Sequence, residues 1–77
     1  MQKALEVMSD TQDRLRVLVD YWTEHSREHE QEISEWADRA SPCGETVAQA
    51  LLEAAARFAE AITCLERARK ALKAEST

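Results

Sequence analysis

The chain has 77 residues and a formal net charge of −5, with 44% hydrophobic, 32% charged and 5% aromatic residues, one Gly and one Pro. One small domain is all that length allows, and so little Gly and Pro excludes folds that need many turns. The richness in Ala, Glu, Leu, Arg and Lys is the usage of long helices, and no apolar run reaches the roughly 18 residues that cross a bilayer.

The first ten residues, MQKALEVMSD, carry no uninterrupted apolar stretch of the secretory kind. With two cysteines too few for a disulfide framework, a cytoplasmic setting is expected. A first helix is predicted over about 3–40. Met8, Thr11, Leu15, Leu18, Trp22, His25, His29, Glu32 and Trp36 advance by steps of three and four, and Val19, Ile33, Ala37 and Ala40 widen that stripe. Ser9 with Gln12 fits a capping box near residue 10. Alternatively Ser9 lies inside the helix, since Leu5 and Met8 continue the stripe.

Within this helix the charge is lopsided. Residues 20–38 hold seven acids (Asp20, Glu24, Glu28, Glu30, Glu32, Glu35, Asp38) against the single base Arg27. Nucleic-acid binding requires Lys and Arg to displace counterions from phosphates, so a nucleic-acid partner is not expected.

Ser41-Pro42-Cys43-Gly44 is the strong break, predicted as a turn over 41–44. A second helix follows over about 45–74, opened by Glu45 and Thr46. Its seam alternates Leu51, Phe58, Leu65 and Leu72 with Val47, Ala54, Ala61 and Ala68. The basic residues Arg67, Arg69, Lys70 and Lys73 near its end suit the C-terminal dipole. Cys43 and Cys64 are expected about 30 Å apart, with Cys64 a half-buried apolar side chain.

The fold expected is therefore all-α: an antiparallel two-helix hairpin. Each helix of a lone hairpin has one neighbour, which leaves much of both stripes uncovered. A homodimer forming a four-helix bundle is expected to cover them, with Trp22 and Trp36 as interface anchors.

The functional signal is the polar interruption of the first stripe. His25 and His29 lie one turn apart on one face, and Glu32 follows one turn later. Two imidazoles and a carboxylate so spaced suit Zn, Ni, Co or Cu, with Glu28 as a further ligand or as an acceptor behind one. One chain offers at most three good ligands, so the site is expected to be completed at the dimer interface. The competing reading is a polar His/Glu layer that sets dimer register, as buried polar residues do in coiled coils. A third places the histidines at a wet boundary.

Enzyme readings fare worse. His25-Ser-Arg-Glu28-His29 matches the inverted zinc-protease pattern over five residues, but two helices give no substrate cleft. Di-iron bundles use Glu-x-x-His on facing helices, and here the order is reversed, His25 to Glu28 and His29 to Glu32. No Cys-x-x-Cys-His attaches haem, no base and acid surround a serine, and one Gly cannot build a phosphate loop. A non-catalytic protein is expected.

The run Tyr21-Trp22-Thr-Glu-His25-Ser-Arg-Glu28-His29, then Trp36-Ala37 and an Ala-rich second helix, resembles small uncharacterised prokaryotic helical-hairpin domains with a Trp-x-x-His-x-x-x-His motif. That resemblance implies a helical hairpin and carries no activity with it.

Overall fold

In the computed structural model, backbone is described for residues 2–75 and side chains for residues 10–74. Helix α1 covers Gln2–Arg39, a 3-10 turn covers Ser41–Cys43, and helix α2 covers Glu45–Glu75. The two helices form a hairpin 61 Å long and 17 by 15 Å across. Ser9 lies within α1, while the side chains of Leu5, Met8 and Ser9 are outside the described residues.

The turn follows from its residues. Pro42 brings a fixed φ and no N–H to the first turn of the 3-10 segment. Cys43 N–H donates to the Ala40 carbonyl (2.8 Å) and Gly44 N–H to Ser41 (3.2 Å). Gly44 adopts φ +116° and ψ 151°, a conformation open to glycine alone, and its carbonyl accepts the Ala48 N–H that starts α2. Helix α2 thus begins one residue before Thr46, which sits inside the first turn rather than capping it.

The interhelix seam lies on the side of the expected α1 stripe that its widening residues mark, and on α2 it keeps the large positions while the small ones move by one. On α1 it runs through Val19, Thr23, Ser26, Glu30, Ile33, Ala37 and Ala40. On α2 it runs through Ala48, Leu51, Ala55, Phe58, Ile62, Leu65 and Leu72. Leu51, Phe58, Leu65 and Leu72 keep the half-buried role expected of them, but Ala55 and Ile62 take the place of Ala54 and Ala61. Small residues win the centre because two helices with one neighbour each approach most closely through them. Thr23 is fully buried, and its hydroxyl donates back to the Val19 carbonyl at 2.7 Å, so no polar group is left unpaired there.

The core is correspondingly slight: Val19, Ala37, Ala40, Ala55 and Ile62 are its buried apolar residues among those described. The hairpin exposes 6192 Å². A compact monomer of 8.7 kDa exposes about 4,700 Å² by the usual scaling with mass, so the surface is in excess by roughly 1,500 Å². Among the described residues no helix is long and apolar enough to cross a membrane.

A histidine pair on an uncovered apolar face

The seam divides the hairpin into two unlike broad faces. On one, Asp20 accepts from Arg69 at 2.8 Å and Arg27 pairs with Glu66, so ion pairs bridge the helices in solvent. The other face carries no such pair among the described residues. It presents Leu15, Leu18, Trp22, His25, His29 and Trp36 from α1, beside Ala54, Phe58, Ala61 and Ala68 from α2. Trp22 is 43% and Trp36 54% exposed, and the Arg39 guanidinium lies over the Trp36 ring at 5.2 Å. A shallow hollow opens on the α2 side between Ala54, Arg57, Phe58 and Ala61.

At the middle of this face the imidazoles meet. His25 Nε2 and His29 Nε2 are 3.1 Å apart, and the rings stand edge to face with centroids 4.5 Å apart. Tyr21 stacks on His25 at 5.3 Å with planes 12° apart, and Phe58 of α2 flanks His29 at 5.8 Å. A row of four rings, Tyr21, His25, His29 and Phe58, thus crosses from one helix to the other. The contact between His29 and Phe58 joins residues at similar distances along the chain from the turn. The participation of Tyr21 had a sequence signal, its i, i+4 spacing to His25.

The short Nε2 separation is compatible with two states. In neutral tautomers one ring N–H donates to the other's lone pair. With both lone pairs free, a single ion with bonds of about 2.0–2.1 Å would be held at an angle of roughly 100° between them, close to tetrahedral. Of the carboxylates expected to assist, Glu28 lies 3.9 Å from His25 Nδ1, on the side of the ring away from His29. That places it behind the imidazole but beyond hydrogen-bond length. Glu32 is exposed on the same helix, and among the described residues no three of His, Cys, Asp or Glu converge on one point. Both cysteines are free and exposed, so Cys64 is not the half-buried side chain expected of it.

The family model of a domain of unknown function, DUF8180, matches residues 15–72. This chain belongs to the DUF8180 family. The matched span opens at Leu15 and closes at Leu72, taking in the turn, both tryptophans and both histidines. The DUF8180 region therefore coincides with the part of the hairpin in which the two helices face each other. No curated protein and no solved structure matches the chain.

Proposed function

We propose that this protein is a non-catalytic, transition-metal-binding homodimer. A four-helix bundle forms when a second copy covers the apolar face, and His25 and His29 lie in its interface. The observation that carries the reading is the 3.1 Å approach of two Nε2 atoms at the centre of an uncovered apolar face. Imidazole donors suit Zn, Ni, Co or Cu. Glu28, 3.9 Å from His25 Nδ1, is a candidate ligand or acceptor that must close by about 1 Å to bond the ring, and Glu32 is a candidate carboxylate ligand once two chains are together. The excess of roughly 1,500 Å² on one chain is about twice the ~800 Å² that a standard interface covers on each partner, so a second copy has enough surplus surface to cover. A reducing, cytoplasmic setting fits two free thiols on a small protein.

A second reading draws on the same contact. If the Nε2 atoms share a proton, the row of four rings is a polar layer that fixes the register of the dimer, and the protein is a structural or adaptor bundle.

Elemental analysis of protein purified without chelator, alongside native mass, separates the two. Metal binding predicts a stoichiometric ion that is lost in His25→Ala/His29→Ala and on acidification, since a protonated imidazole has no lone pair to give. An adaptor predicts no ion and no thermal shift with added Zn, Ni, Co or Cu.

A further inference from the structure

The face can be matched to a copy of itself. Along α1 the stripe Leu18, Trp22, His25, His29, Glu32 and Trp36 alternates steps of four and three, so each gap is a possible two-fold centre, and the gap between the histidines is the one that sets imidazole against imidazole. Along α2, Ala54, Ala61 and Ala68 are evenly spaced about Ala61. The two centres lie at one height in the hairpin, because Asp20 meets Arg69 on one side of that height and His29 meets Phe58 on the other. A single line perpendicular to both helices therefore passes Ala61 and the gap between the histidines.

We infer that a second copy of this chain docks on this face about that line as a two-fold axis, with the two turns at opposite ends, so that four imidazoles meet in one site. The inference rests on the dimeric reading above and specifies what completes the site. Rotation about the line sets His25 against His29 of the partner subunit and Leu18 against Trp36 of the partner subunit. Ala61 falls on its own counterpart, where its small side chain lets the α2 helices approach closely. Trp22 then meets Glu32 of the partner subunit, an indole N–H facing a carboxylate. This docking therefore replaces Glu32 as candidate ligand, since the indole engages it, and narrows the ligand set to four histidines.

The two copies overlap between their turns, about 50 Å apart, and at a width of 17 Å that is roughly 850 Å², near the ~800 Å² per partner of a standard interface. The alternative two-fold, parallel to the helices, puts both turns at one end. It stacks α1 on α2 of the partner and separates the two histidine pairs diagonally.

The two arrangements are distinguished by the chain's own thiols. A nitroxide on Cys43, in protein carrying Cys64→Ser, reads the distance between turns. Opposite ends predict about 50 Å, from the 1.5 Å rise between Cys43 and the level of Ala61; a separation under about 20 Å overturns the inference. Independently, Cys43→Ser/Cys64→Ser/Ala61→Cys should oxidise to a covalent dimer, because only the perpendicular axis brings residue 61 within disulfide reach of itself. A monomer in solution, or a dimer that resists this cross-link, overturns it as well.

Titration with Co²⁺ completes the test. One ion per two chains supports the shared site, and one per chain overturns it. No uptake by a dimer with the long distance and the cross-link supports the docking while overturning the metal-binding reading, so the two fail separately.

Discussion

Gly44 is the residue on which the hairpin turns. Its φ of +116° with ψ of 151° belongs to a region that side chains avoid, while a Cβ added there would meet nothing within 4 Å. The cost of Gly44→Ala is therefore one of backbone conformation alone, about 1–3 kcal/mol. Urea unfolding followed by circular dichroism should show the midpoint falling with an unchanged slope. Thr23 makes the opposite point. A polar residue at the most buried position is tolerated because its hydroxyl bonds to a carbonyl four residues back, within its own helix.

Between the helices, the solvent-side ion pairs contribute little. Asp20 and Arg69 side chains are 61% and 38% exposed, so Asp20→Asn should change stability by less than about 1 kcal/mol in thermal or urea melts. The seam of small residues decides the packing instead, and it explains what was legible in the sequence and what was not. Two helices and their turn were legible, because Pro42 and Gly44 are the only Pro and Gly and every other stretch keeps a helical period. The choice of inner face was legible only in part, since Val19, Ala37 and Ala40 read as the margin of the stripe and not its centre. Leu15, Leu18, Trp22 and Trp36 make the strongest stripe, yet large side chains hold helices apart, and the contact line runs instead through Val19, Thr23, Ala37 and Ala40. Thr23 gave no apolar signal to mark it. The spacing of His25 and His29 identified them as neighbours; that they would sit exposed beside the seam depended on which stripe the partner helix selected.

For the whole molecule, the proposed homodimer makes stability depend on concentration. Trp22→Ala/Trp36→Ala removes the two largest side chains of that face while leaving the seam intact. On the proposed dimer, sedimentation should show the mass moving from dimer towards monomer, with helical content retained near the turn. The unaltered chain should melt at higher temperature as its concentration rises, since association stabilises only the folded form.

The order of contacts along the hairpin has a dynamic consequence. Ala37 and Ala40 pack beside the turn, His29 meets Phe58 midway, and Asp20 meets Arg69 far out. Each inner contact shortens the loop that the next must close, so the arms zip outward from Gly44 and unzip inward from their tips. Fraying reaches the ring row only after the Asp20–Arg69 clasp has parted, and well before Ala40 lets go. In a single copy the outer half of the hairpin thus opens and closes as a local event without unfolding the hinge, and the proposed docking holds it shut.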